Sequence, residues 1–135
     1  MKSKYKICIG LFLLALMTIG CEENNLQQCV MGTIVGYEGC GDAVLIQVDD
    51  KYKIGKTIIY YNKLSYDNIV RAPGEFGRYG VDTVYFTYRP YNKNQDKDLF
   101  YNASTRPCLA VYGPFDVPSI VITDYSTKNC EEIRP

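Results

Sequence analysis

No histidine and no tryptophan occur among the 135 residues of this chain. Without histidine, neither a Ser–His–Asp nor a Cys–His nucleophile arrangement can be assembled from this chain alone. No Cys-x-x-Cys pair is present, so the ligand spacing of a zinc site is missing as well. Leucine is sparse beyond residue 20, no segment has an amphipathic helical repeat, and no internal repeat is evident. The glycine-rich run Gly74-Glu75-Phe76-Gly77-Arg78-Tyr79-Gly80 matches neither the phosphate-loop nor the dinucleotide pattern. An excess of basic charge is lacking too. The chain holds 15 basic and 15 acidic residues, but Lys2, Lys4 and Lys6 lie in a first stretch of twenty without an acid, leaving 12 basic against 15 acidic residues beyond it. A mildly acidic chain has no electrostatic footprint for nucleic acid.

What is abundant is tyrosine, 13 residues against 5 phenylalanines, which together with little leucine favours strands over helices. The N-terminus has a different character. Lys2, Lys4 and Lys6 precede an unbroken apolar run over 7–17, and Thr18-Ile19-Gly20 leads to Cys21. A basic start, a short apolar core and a small residue at the cut are the parts of a secretory signal. The run falls short of the roughly 20 apolar residues of a membrane-spanning helix. Ile19-Gly20-Cys21 resembles the lipobox of bacterial lipoproteins, with Thr18 standing where that family usually has Leu. The resemblance implies cleavage before Cys21, diacylation of its thiol and an outer-membrane location, on the periplasmic face or the cell surface. Two or more acyl chains give stable anchoring, where one alone is marginal. Glu22-Glu23-Asn24-Asn25 then reads either as a surface-display signal or as a solvated linker. The expected organisation is a signal peptide over 1–20, a lipidated cysteine and tether over 21–28, and one β domain over 29–135.

Cys8 leaves with the signal and Cys21 carries lipid, so Cys29, Cys40, Cys108 and Cys130 remain. An even count in an exported small domain predicts two disulfides, with three connectivities open. The favoured pairing is Cys40–Cys108 with Cys29–Cys130, the second joining the two ends of the domain.

Strand signals recur at 30–37, 43–48, 56–61, 81–89, 108–112 and 119–125, separated by Gly, Asn, Asp and Pro. In 81–89, Val84, Phe86 and Tyr88 share one face. The segment 38–42 reads as a turn. The segment 62–80 reads as irregular, with one short helical turn around Leu64, Ile69 and Val70. The glycine-bearing first strand, two following strands, an irregular connection and strong later strands resemble an OB-like barrel of five or six strands with an additional C-terminal strand. A small β-sandwich explains the same rhythm. In either case the fold class is all-β.

The acids Asp42, Asp49, Asp50, Asp67, Asp82, Asp116 and Asp124 fall at turns or strand ends, where Asp serves local hydrogen bonding, and nothing selects a catalytic pair. The alternating Asn92, Asn94, Asp96 and Asp98 resemble the start of a calcium loop. Lys97 occupies the place of the sharp-turn glycine, however, and Ala103 the place of the closing glutamate, so a plain loop is expected and no metal or cofactor is assigned. Asn102-Ala103-Ser104 fits a glycosylation acceptor, a pattern whose machinery a bacterial lipoprotein does not usually meet. The adjacent Tyr60 and Tyr61 are expected on opposite faces of a strand, and Tyr61, Tyr85, Tyr91, Tyr101 and Tyr112 form the candidate binding surface. Tyrosine combines an apolar body with a hydrogen-bonding tip, which suits sugars, peptides and protein partners. The function expected is that of a non-catalytic, lipid-anchored binding or assembly protein of the cell envelope with a protein or glycan partner. A carboxylate-based glycan enzyme and a hydrolase inhibitor, the latter acting through 71–80, are the alternatives.

Overall fold

The computed structural model describes residues 28–38, 43–74, 82–100 and 114–133. Cys21, Cys40, Cys108, Tyr101, Tyr112 and the strand expected at 108–112 lie outside them. The architecture is all-β. Six strands, β1 (Val30–Glu38), β2 (Ala43–Val48), β3 (Lys56–Ile59), β4 (Ser65–Pro73), β5 (Thr83–Pro90) and β6 (Ile120–Ser126), form one sheet in the order β3-β4-β2-β1-β5-β6. Every neighbouring pair is antiparallel. The sheet curls until β4 meets the lead-in to β6: Arg71 and Ser119 form one parallel bridge, and the Arg71 N–H donates to the Pro118 carbonyl at 3.0 Å. That single bridge leaves the barrel incompletely closed. The two edges of the sheet are β3, paired with β4, and the C-terminal strand β6, paired with β5.

The inner face is built by period-two alternation. Val44, Ile46 and Val48 from β2, Val70 and Ala72 from β4, Val84 and Phe86 from β5, and Val30 and Ile34 from β1 enclose the main core with Ile120. A bulge at Val35 shifts the β1 register between Ile34 and Gly36. The extra residue inverts the phase, so Val35 points to the outer face while Tyr37 packs against the inner core. A second apolar cluster lies on that outer face, where Val35, Leu45 and Ile69 are covered by Ile58, Tyr60 and Val117. β2 is therefore buried on both sides, which is why its sequence, Ala-Val-Leu-Ile-Gln-Val, barely alternates.

The expectation of an irregular or helical 62–80 is corrected by β4, whose 69–73 half pairs with β2 and whose first half pairs with β3. Asn68 hides the strand from pattern reading. It adopts a left-handed φ of 54° and divides the exposed and half-buried 65–68 from the mostly buried 69–72, so no single alternation runs through the strand. Its side chain compensates. Oδ1 accepts from the N–H groups of Ile54 (3.1 Å) and Gly55 (2.7 Å), and Nδ2 donates to the carbonyls of Val48, Asp49 and Tyr52. Gly55 is required at this crossing, since a Cβ there would collide with the Asn68 carbonyl group and the Ile69 nitrogen.

Cys29 and Cys130 are disulfide-bonded across 101 positions, joining the approach to β1 to the short 3-10 turn Cys130–Glu132 that follows β6. Closing a loop of that length contributes on the order of 4–5 kcal/mol in a chain-entropy estimate.

Asn68→Ala is expected to lower the unfolding free energy by about 3 kcal/mol, from several lost hydrogen bonds. Asn68→Gly, which loses the same bonds but keeps the left-handed turn at no steric cost, should lose roughly 1 kcal/mol less. Urea denaturation of the two variants measures both quantities.

Candidate functional site

Of the five exposed large apolar side chains among the described residues, three fall within six positions: Ile59 is 71% exposed, Tyr61 41% and Leu64 56%. All three sit on the β3–β4 hairpin. Lys63, with a φ of 64°, makes its left-handed turn, and the Leu64 N–H donates to Asn62 Oδ1 at 3.0 Å. The bend at Asn68 lays this hairpin over the outer face of the sheet. There the Tyr60 hydroxyl reaches across to β1, accepting from the Tyr37 N–H and donating to the Tyr37 carbonyl, both at 3.3 Å.

Around this point the aromatic rings gather. Tyr60 and Tyr61 approach to 4.7 Å between centroids, Tyr60 and Phe115 to 5.9 Å, Tyr61 and Phe115 to 5.3 Å, and Tyr66 meets Tyr60 edge-on at 6.3 Å. The expected placement of Tyr60 and Tyr61 on opposite faces is corrected here. β3 ends at Ile59, so both tyrosines lie in the turn, where strand alternation no longer applies.

Phe115 is held from below. Its N–H donates at 3.0 Å to Oε1 of Glu38, the last residue of β1, and Oε2 of the same carboxylate faces Arg71 Nη2 at 2.9 Å. Glu38, expected in a turn, is instead a buried strand residue with a side chain only 2% exposed. The ion pair meets off the N–H axis, so Glu38 Oε2 and Arg71 Nε have no aligned hydrogen bond. Burial pushes the Glu38 carboxyl above its usual range, with Arg71 and the Phe115 N–H pulling the other way. The Arg71 guanidinium also lies 4.5 Å from the Phe100 ring centroid, and Phe100 packs edge-on against Tyr91 at 5.1 Å. One continuous chain of contacts therefore links Tyr61 to Tyr91 through Phe115, Glu38, Arg71 and Phe100.

Two of the five tyrosines expected to form a surface thus belong to one network, with Tyr61 exposed at its tip and Tyr91 half-buried at its far end. Tyr85 is not brought to it. That residue pairs with Met31 and Ser126, near the Cys29 end of β1, and is half-buried. Sequence reading missed Ile59, Leu64, Tyr66 and Phe115 and gave Tyr60 no binding role. Their signal was the run Ile58-Ile59-Tyr60-Tyr61, four large apolar residues in succession, more than one buried strand face can absorb. Arg71 within Ile69-Val70-Arg71-Ala72 carried a signal of its own, because a cation in an apolar strand needs a counter-charge.

Five carboxylates of the described region, Glu38, Asp49, Asp96, Asp116 and Glu132, sit in ion pairs. Asp96 accepts two 2.7 Å hydrogen bonds from Arg89 and a third from the Asn92 N–H. These hold its carboxyl down at about 2, the arginine being the larger cause. The Asn92–Asp98 loop is thereby organised around an arginine. Asp116 pairs with Lys56 at 2.9 Å. Among the described residues, no group of three or more Cys, Asp or Glu side chains is arranged to hold a metal ion. Of the protruding segment expected at 71–80, Arg71 to Pro73 belong to β4, Gly74 follows with a φ of 93°, and the remainder lies outside the described residues. No known protein family matches the chain, and no curated protein matches it.

The two buried carboxylates predict opposite pH slopes. Asp96 titrates lower in the fold than in the unfolded chain. Its stabilising contribution is present above about pH 3.8 and disappears as pH falls towards 2, and Asp96→Asn should converge with the parent chain across that window. Glu38 titrates higher in the fold. Its contribution is full below pH 4.5 and is lost as pH rises through the raised value, so the stability of Glu38→Gln relative to the parent should increase with pH there. Thermal midpoints from pH 2 to pH 8 read both slopes.

Proposed function

We propose that this chain is a non-catalytic, lipid-anchored binding or assembly protein of the cell envelope, holding its partner through the β3–β4 hairpin and its aromatic cluster. The observation that carries the reading is the grouping of Ile59, Tyr61 and Leu64 at one place, backed by a rigid set of rings. A contiguous apolar patch on a small domain marks an interaction site. Preorganised aromatic side chains lose little entropy on binding, and tyrosine is enriched where partners dock.

The anchor geometry supports the same reading. The lipobox resemblance puts the membrane at Cys21, and the segment that follows joins the domain at the Cys29 end of β1. Phe115 and Tyr61 stand at the Glu38 end of that strand. Nine strand residues extend up to about 26 Å. The hairpin therefore projects away from the tether, where a partner can reach it. The disulfide suits an oxidising compartment outside the cytoplasm.

The test is a crosslinked pull-down of the full-length protein from the cells that make it, with Cys21 intact. A stoichiometric partner is expected, and the double variant Tyr61→Ala/Leu64→Ser should recover at least tenfold less of it while keeping the far-ultraviolet circular dichroism of the folded parent. Undiminished recovery would remove the hairpin as the binding surface. Cys21→Ala should release the protein from membranes, and persistent membrane association would remove the lipid anchor.

A further inference from the structure

The binding reading leaves open what kind of element the hairpin takes. We infer that β3 receives an extended segment of a partner protein, which adds as a seventh strand along the free edge at Thr57 and Ile59. The inference rests on the envelope-binding reading and deepens it.

β3 is an outermost strand of the sheet. Its inward backbone groups are known: Ile58 pairs with Tyr66, and the Tyr60 N–H donates to the Leu64 carbonyl at 2.9 Å. Antiparallel strands alternate hydrogen-bonded and non-hydrogen-bonded positions. Thr57 and Ile59 therefore turn their N–H and C=O groups outward, and among the described residues neither has a backbone partner on that side. An open edge of this kind is a template for pairing with another chain. Its usual safeguards are concentrated at one end, where Lys56 pairs with Asp116 and a register irregularity falls between Lys56 and Ile58. The stretch beyond carries the most exposed large apolar side chain of the described residues, Ile59.

The size of the patch selects the occupant. Three partly exposed side chains of this kind present on the order of 300 Å², whereas a stable interface needs about 800 Å² from each partner. A second copy of this chain packed on the hairpin alone would bury too little. A single extended segment draws its affinity from main-chain hydrogen bonds and needs only pockets or patches for alternate side chains. The hairpin's position supplies the second constraint. The tether joins the domain at Cys29, whereas the turn of the hairpin lies by Tyr37 and Phe115 at the other end of β1, which leaves this edge open to a partner protein. The opposite edge, β6, differs. Its chain continues into a turn held by Ser126–Glu132 and Lys128–Glu132 hydrogen bonds, and its exposed large apolar residue is Tyr125 alone.

The test places a photoreactive phenylalanine analogue at Thr57, Ile59, Tyr61 or Tyr125 in separate full-length chains with Cys21 intact. Cells making them are irradiated and the crosslinked peptides sequenced. Thr57 and Ile59 are expected to attach to one partner segment at points two residues apart, and Tyr125 to give less than a tenth of their yield. Capture through Tyr61, with Thr57 and Ile59 sharing no common segment, would overturn strand addition and leave the binding reading standing. Attachment to lipid or to a second copy of this chain would overturn the choice of occupant, and capture from no position would overturn both readings.

Discussion

The bend at Asn68 is the constraint on which the rest of this architecture depends. A strand that continued straight from Ile69 would carry the β3–β4 hairpin past the end of β2. Leu45 and Val35 on the outer face would then be left in water. With φ at 54°, the backbone turns and the hairpin folds back over them. Asparagine tolerates this conformation better than other side chains because its amide can hydrogen-bond locally. Here it also gathers the connection from β2 to β3 through bonds to five backbone groups. Each large apolar side chain covered in this way contributes about 1.5–3 kcal/mol. The gain from covering the outer face outweighs the roughly 1–2 kcal/mol that one left-handed residue costs.

Covering the outer face creates a second requirement, since the 114–118 segment must be held against it. Glu38 and Arg71 meet that need from inside the structure. A buried ion pair adds little net stability, because desolvation offsets attraction, but loss of one partner strands a charge and costs about 3–5 kcal/mol. The pair is better understood as a register device. Arg71 touches β1 through Glu38, the lead-in to β6 through its own N–H, and Phe100 through its guanidinium, and Glu38 hands the connection on to Phe115. The rings exposed at the hairpin thus stand on a fixed base. Stability and a candidate binding surface arise from the same contacts.

Much of this was legible from residue pattern. The apolar runs of β1, β2, β5 and β6 lie within about two residues of where periodicity places them, and the end-to-end pairing of Cys29 with Cys130 is present. The failures share a cause, since each needs knowledge of a non-local partner. Asn68 breaks the alternation of β4 at the residue whose side chain makes the strand viable. Glu38 looks like a turn residue until Arg71 is seen beside it. Tyr60 and Tyr61 look like strand neighbours until the Lys63 turn brings their rings together. Tyr85 satisfied the period-two rule for an outward position and still lies half-buried between β1 and β6, because alternation assigns a face and not the depth of cover.

The central proposal is that a partner occupies the hairpin pole, and not the rest of the surface, in the cell. Hydroxyl-radical footprinting of Tyr61 and Tyr125 measures this most directly, since the two are 41% and 49% exposed in the isolated domain and should label comparably once purified. In intact cells the account predicts that Tyr61 labelling falls severalfold while Tyr125 labelling is unchanged. Equal labelling of both residues in cells and in purified protein would contradict it.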